Sequence, residues 1–61
     1  MKILLDTLGA DKGYEVVVKG GLKALENHNE LEITFIGPEK EIKELIKDSK
    51  NKNRIEIIDT N

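Results

Sequence analysis

Cysteine and tryptophan are absent from this 61-residue chain, and histidine, proline and aromatic residues are scarce. Without cysteine the chain has no disulfide and no thiolate metal ligand, and its one histidine, His28, cannot form a histidine cluster. The two aromatic residues, Tyr14 and Phe35, and a net charge of -2 provide little base-stacking surface and no basic excess. We therefore expect no nucleic-acid partner.

Long apolar runs are also missing. The longest fall far short of the roughly 20 residues that cross a bilayer, and the first residues lack the pattern of a signal peptide. We expect a cytoplasmic protein. The length allows one small domain, and a domain of this size buries only about 60% of the surface that its unfolded chain exposes. We expect it to need self-association or further chain for stability.

The residues that are present alternate between strand and helix patterns. They predict, in chain order, a strand at 2–6 that is buried on both faces, a helix at 14–27, a strand at 31–36, a helix opened by Pro38, and a strand at 54–58. Right-handed crossovers make such a sheet parallel. The sequence predicts an α/β fold, a β-α-β-α-β unit with a three-stranded parallel sheet. Because such a unit is half of a doubly wound fold, we expect residues 1–61 to be a fragment of a larger domain, or a module completed by another chain.

Two adjacent glycines lie inside the first predicted helix, where each costs about 1 kcal/mol relative to alanine. Gly21 lies on the apolar stripe of that helix, and Gly20 lies beside the stripe. We expect Gly21 to allow close approach of the helix to the sheet.

The loop after the first strand is the candidate binding site. It follows the carboxyl end of a strand and leads into a helix N-terminus, where free N–H groups favour an anion such as phosphate. Gly9 and Gly13 permit unusual backbone angles, whereas Asp6 and Asp11 repel an anion. In the structural alternative, Asp11 only caps the helix and Gly9 only makes a turn.

Three acidic residues suggest a second possibility. Asp6 and Asp59 end strands and Asp11 lies in the first loop, so their carboxylates could converge at one sheet edge and hold Mg²⁺. Receiver domains have a related arrangement, but with adjacent acids after the first strand. In the alternative, Asp59 only starts a turn.

Four stretches resemble one family. Asp6–Asp11 reads D-T-L-G-A-D and is similar to the D-A-M-G-G-D signature that opens the PlsX-type phosphate acyltransferases of bacterial phospholipid synthesis. Val17–Gly21 resembles the family's I-V-K-G-A, Leu31–Gly37 its L-E-I-x-L-V-G, and Arg54–Ile58 its R-I-E-I-V. Order and spacing agree over nearly the whole chain. The departures are Leu8 for methionine and Ala10 for glycine in the signature, Tyr14 for proline, and Asp59-Thr60 for a His-Ala pair.

This resemblance implies a homodimeric α/β/α enzyme with a fold like those of phosphotransacetylase and isopropylmalate dehydrogenase. The whole enzyme would transfer a fatty acyl group from acyl carrier protein to inorganic phosphate, without a cofactor or metal, and would associate peripherally with the membrane. The signature implies substrate-binding positions at Asp6, Gly9, Ala10 and Asp11, and it names no catalytic residue. We expect the 61 residues alone to be inactive.

Two other functions remain open from the sequence. One is a small receiver-like or flavodoxin-like module that binds phosphate or Mg²⁺ at the acidic edge. The other is a non-catalytic interaction fragment.

Overall fold

The computed structural model describes residues 1–8 and 13–60, which form three strands and two helices. Their order is β1 (Lys2–Asp6), α1 (Tyr14–Asn27), β2 (Glu32–Gly37), α2 (Glu39–Ile46) and β3 (Ile55–Asp59), with a 3-10 turn at Lys52–Arg54 before β3. The strands form one parallel sheet in the order β1-β2-β3. The predicted α/β class and parallel β-α-β-α-β unit are confirmed, with β2 and β3 each displaced by one residue.

The core lies on one face of the sheet, between β2 and both helices. Ile33 and Phe35 of β2 are 1% and 0% exposed, whereas Thr34 between them is only half-buried. Both helices lie on this face because both crossovers run in the same direction along the sheet. The buried apolar side chains are Val18, Leu25, Leu31, Ile33, Phe35, Ile42 and Ile46.

The opposite face of the sheet is open among the described residues. Leu4 and Ile58, which lie on this face, are 62% and 52% exposed. Strand β1 is also at an edge, and Ile3 is 37% exposed. The prediction that β1 is buried on both faces is therefore wrong. A run of apolar residues is typical of an interior parallel strand, but within residues 1–8 and 13–60 β1 has one strand neighbour and helices on one face.

Gly21 allows a close approach of α1 to the sheet, as predicted. A Cβ at this position would lie 2.7 Å from Cζ of the buried Phe35 and 3.3 Å from Cδ1 of Ile33. Gly20 is exposed, and a Cβ there would meet nothing within 4 Å. One glycine of the pair is therefore required by packing, and the other is not.

Helix α2 begins at Glu39, one residue later than predicted. Pro38 has φ -71° and ψ 106°, so it precedes the helix, and its carbonyl accepts the Ile42 N–H at 3.0 Å. The helix ends at Ile46. In the following turn the Lys47 ammonium donates to Glu44 Oε1 at 2.9 Å, and this contact raises the pKa of Lys47.

Arg54 holds together the end of the sheet opposite the candidate site. Its guanidinium donates to four backbone carbonyls at 2.6–3.0 Å, those of Leu25, His28, Asn29 and Leu31, and to Asn51 Oδ1. These acceptors include the last turn of α1 and the entry to β2. The Arg54 side chain therefore links the α1–β2 connection to the start of β3.

Candidate functional site

The carboxyl ends of all three strands meet at one edge of the sheet. Asp6 ends β1, Gly37 ends β2 and Asp59 ends β3, and the N-termini of α1 and α2 follow at the same edge. Ligands of open α/β sheets bind just outside such an edge. The end of β1 and the start of α1, which flank the predicted loop, therefore lie at the edge where this class of fold binds its ligands.

Thr7 joins the ends of β1 and β2. Its side chain is 2% exposed, its Oγ1 donates to the Ile36 carbonyl at 2.9 Å, and its N–H donates to the same oxygen at 3.0 Å. A Cβ at Gly37 would overlap Thr7 Oγ1. Only glycine at position 37 therefore leaves room for the buried Thr7 hydroxyl, and the sequence alone does not reveal this contact.

Asp6 shapes the start of the first loop. Its Oδ1 accepts the Leu8 N–H at 2.8 Å, which is the self-bonding turn that aspartate favours. The side chain is exposed at the strand end. Through this hydrogen bond, Asp6 sets the direction in which the chain leaves β1.

The other predicted binding positions, Gly9, Ala10 and Asp11, lie outside the described residues. Gly13 has φ 77° and ψ -170° and occupies the cap position of α1. This region of backbone conformation is essentially restricted to glycine. The special backbone role predicted for Gly13 is confirmed, and the cap role of Asp11 stays a prediction.

The N-terminus of α2 is already occupied by a carboxylate. Asp59 Oδ1 accepts the Glu39 N–H at 3.3 Å, and the Thr60 N–H donates to the Gly37 carbonyl at 3.2 Å. A carboxylate here complements the positive end of the helix dipole. An anionic ligand would therefore be disfavoured at the N-terminus of α2.

The predicted convergence of Asp6 and Asp59 is wrong. Asp6 lies in register with Ile36, whereas Asp59 lies in register with Gly37, the next residue of β2. Successive positions point to opposite faces of a sheet. The two carboxylates are on opposite faces as well as on opposite edge strands. Within residues 1–8 and 13–60, no group of three or more acidic, histidine or cysteine residues could hold a metal ion.

Fold and site together define an α/β domain of the class that binds ligands at the carboxyl ends of its parallel strands. The fatty acid synthesis protein family matches residues 1–61. The chain is 42% identical over 60 residues to the phosphate acyltransferase of Clostridium novyi (strain NT), covering 97% of this chain. It is 38% identical to that of Bacillus cytotoxicus and 37% identical to that of Bacillus thuringiensis, covering 98% of this chain in each case.

The chain therefore belongs to the fatty acid synthesis protein family, and its resemblance to phosphate acyltransferases is confirmed. It spans 18% of the length of the Clostridium novyi protein and 17% of the two Bacillus proteins. Neither described helix is long and apolar enough to span a bilayer.

Proposed function

We propose that this chain is the N-terminal part of an enzyme that transfers a fatty acyl group from acyl carrier protein to inorganic phosphate. The match of nearly the whole chain to proteins named phosphate acyltransferase carries this proposal. In the reaction, a phosphate oxygen attacks the thioester carbonyl carbon, the C–S bond breaks, and the carrier thiol is released. The acyl phosphate product is a precursor for phospholipid synthesis.

The first loop is the part of the substrate cleft that we assign to this chain. We place Asp6, Gly9, Ala10 and Asp11 at the cleft, because their stretch carries the family signature at the carboxyl end of β1. Through its bond to the Leu8 N–H, Asp6 sets the direction of this loop. The free N–H groups at the start of α1 would then be aimed at the phosphate.

The same edge explains why the 61 residues should be inactive alone. Its described strand and helix ends carry the carboxylates of Asp6, Glu39 and Asp59, which disfavour an approaching phosphate. Acyl transfer needs positioned donors for the phosphate and for the developing oxyanion. We propose that these donors come from the rest of the enzyme, a cytoplasmic homodimer that associates peripherally with the membrane.

The inactivity of the isolated chain is directly testable. The purified 61-residue chain is incubated with acyl carrier protein thioester and inorganic phosphate, and acyl phosphate is measured against a protein-free blank. We expect no turnover above the blank. Measurable turnover would contradict the proposal that the chain is an incomplete part of the enzyme.

A chimera tests the role of the first loop. This chain replaces the matching 60-residue segment of the Clostridium novyi phosphate acyltransferase, and we expect the chimera to retain acyltransfer. Asp6→Ala and Gly9→Val should each lower kcat/KM at least about tenfold, equivalent to about 1.4 kcal/mol of transition-state stabilisation. Asp48→Ala is the matched control, because Asp48 is exposed in the turn after α2.

Asp6→Asn separates the two roles of the Asp6 carboxylate. The amide keeps an oxygen that can accept the Leu8 N–H but removes the charge. Activity near that of the unsubstituted chimera would assign Asp6 to loop geometry, and a loss equal to that of Asp6→Ala would assign it to charge. Near-normal turnover in both Asp6→Ala and Gly9→Val, with the fold retained, would show that the loop is purely structural.

A further inference from the structure

Thr7 is the only buried polar side chain among the residues that the structure describes. Both of its hydrogen-bond donors, the N–H and the Oγ1 hydroxyl, end on the Ile36 carbonyl, at 3.0 and 2.9 Å. A buried hydroxyl without a partner is unfavourable. The hydroxyl contact therefore holds the end of β1 at one place against the end of β2, in addition to the backbone bond.

The hydrogen-bonded turn of Asp6 encloses Thr7. Asp6 Oδ1 accepts the Leu8 N–H at 2.8 Å, so the residues on both sides of Thr7 are tied to each other. Asp6 and Leu8 are exposed, whereas Thr7 between them is 2% exposed. The turn that starts the first loop is therefore attached to β2 through the Thr7 side chain.

The carboxyl end of β2 is shared with the end of β3. The Gly37 carbonyl accepts the Thr60 N–H at 3.2 Å, and the preceding carbonyl of β2 accepts Thr7. A Cβ at Gly37 would overlap Thr7 Oγ1 and would lie 3.1 Å from Cδ1 of Ile42 in α2. Two consecutive carbonyls of β2 therefore set the end of β1 relative to the end of β3, and the glycine leaves the space that Thr7 fills.

We propose that Thr7 is a positioning residue for the phosphate substrate, and that Gly37 is its steric counterpart. The buried Thr7 side chain acts through the Asp6 turn, which it holds against the carboxyl end of β2. This inference rests on the proposed function, in which the first loop and the start of α1 hold the phosphate. The signature D-A-M-G-G-D has alanine where this chain has Thr7, so the signature does not assign this contact.

A positioning role predicts a particular kinetic effect. A misplacement of about 1 Å in a binding group can lower a rate by about 100-fold. A displaced first loop should raise KM for phosphate and leave KM for the acyl carrier protein thioester unchanged. A merely structural role would lower the fraction of folded enzyme, which lowers kcat and leaves both KM values unchanged.

Thr7→Val in the Clostridium novyi chimera removes the hydroxyl and keeps the branched shape of the side chain. KM for phosphate should rise at least about threefold, which corresponds to the loss of one neutral hydrogen bond. Thr7→Ser keeps the hydroxyl, and its KM for phosphate should stay within about twofold of the original value. Thr34→Val is the matched control, because Thr34 is half-buried in the middle of β2, and its KM for phosphate should be unchanged.

Gly37→Ala tests the steric side of the proposal. The added Cβ meets Thr7 Oγ1, so the end of β1 must move, and KM for phosphate should rise at least about tenfold. Adding Thr7→Ala removes that oxygen. The new Cβ then lies 3.4 Å from the Cβ at position 7 and 3.1 Å from Cδ1 of Ile42, the end of a flexible side chain. The double variant should therefore have a lower KM for phosphate than Gly37→Ala alone, although it carries one more substitution.

Amide hydrogen exchange in the 61-residue chain tests the contact without acyl transfer. Thr7→Val should speed exchange of the Leu8 N–H, because the turn that holds it is no longer attached to β2 through the side chain. Exchange of the Glu32 N–H should stay unchanged, because it donates to the Met1 carbonyl at the other end of β1.

The outcomes separate this inference from the proposed function. An active chimera in which Thr7→Val leaves KM for phosphate unchanged, or lowers kcat alone, would overturn the inference and leave the proposed function intact. An inactive chimera would count against the proposed function, and unchanged exchange of the Leu8 N–H in Thr7→Val would then overturn the inference as well. If Thr7→Val does not fold, the comparison of Gly37→Ala with the double variant decides, and equal KM values for phosphate would refute the role of Thr7.

Discussion

The adjacent glycines of α1 should respond in opposite ways to the same substitution. Alanine is favoured over glycine in a helix interior by about 1 kcal/mol. At Gly20 the added Cβ meets nothing within 4 Å, and the position is exposed. Gly20→Ala should therefore raise the free energy of unfolding by about 1 kcal/mol.

At Gly21 the same gain is opposed by packing. The added Cβ would lie 2.7 Å from Cζ and 3.0 Å from Cε1 of Phe35, which is 0% exposed and lies within the apolar core. Forcing an extra methyl into a packed core costs about 1–3 kcal/mol. The net effect of Gly21→Ala should therefore lie between about zero and about 2 kcal/mol of destabilisation. The two variants should differ by about 1–3 kcal/mol, which is the packing cost alone.

Urea unfolding followed by far-ultraviolet circular dichroism measures this difference. All variants are compared at one protein concentration, because association contributes to apparent stability. Equal stabilisation by Gly20→Ala and Gly21→Ala would refute the close approach of α1 to Phe35. A loss of stability in Gly20→Ala would refute the open environment assigned to Gly20.

Two further substitutions test other parts of the fold in the same assay. Gly13→Ala should lower the free energy of unfolding by about 1–3 kcal/mol through backbone strain alone, because φ is 77° and the added Cβ meets nothing within 4 Å. An increase in stability like the one expected for Gly20→Ala would contradict this prediction. Arg54→Met should lower the free energy of unfolding by about 2–4 kcal/mol, because it leaves several backbone carbonyls without their hydrogen-bond donor. The control Lys43→Met should change the free energy of unfolding by less than about 0.5 kcal/mol, since the Lys43 side chain is 65% exposed. Equal changes in the two variants would show that the Arg54 contacts contribute little to stability.

The helix periodicity of the sequence predicted α1 with the bounds that the structure shows. Apolar residues spaced by three and four define its buried stripe, and the polar run after Leu25 ends the pattern before β2. The parallel pairing of the strands was also predicted, because two short crossovers leave it as the favoured arrangement. Both features depend on interactions between residues that are close in sequence or on general chain geometry.

The candidate site was predicted only in part. Its place at the end of β1 follows from the strand pattern, and the role of Gly13 follows from its residue type. The contact of Thr7 with β2 depends on residues 29 positions apart. Arg54 likewise joins carbonyls 23 to 29 positions away, and nothing in its local sequence distinguishes it from a surface arginine.

By itself, the sequence determined which segments become strands and helices, which face of β2 and of each helix is apolar, and the family to which the chain belongs. Only the tertiary structure decided which strand lies at the edge and that Asp6 and Asp59 lie apart. The apolar run of β1 looks the same for an interior and an edge strand, and Asp6 and Asp59 are both strand-end acids. Strand order and register settle these questions, because they set the neighbours of each strand and the face to which each side chain points.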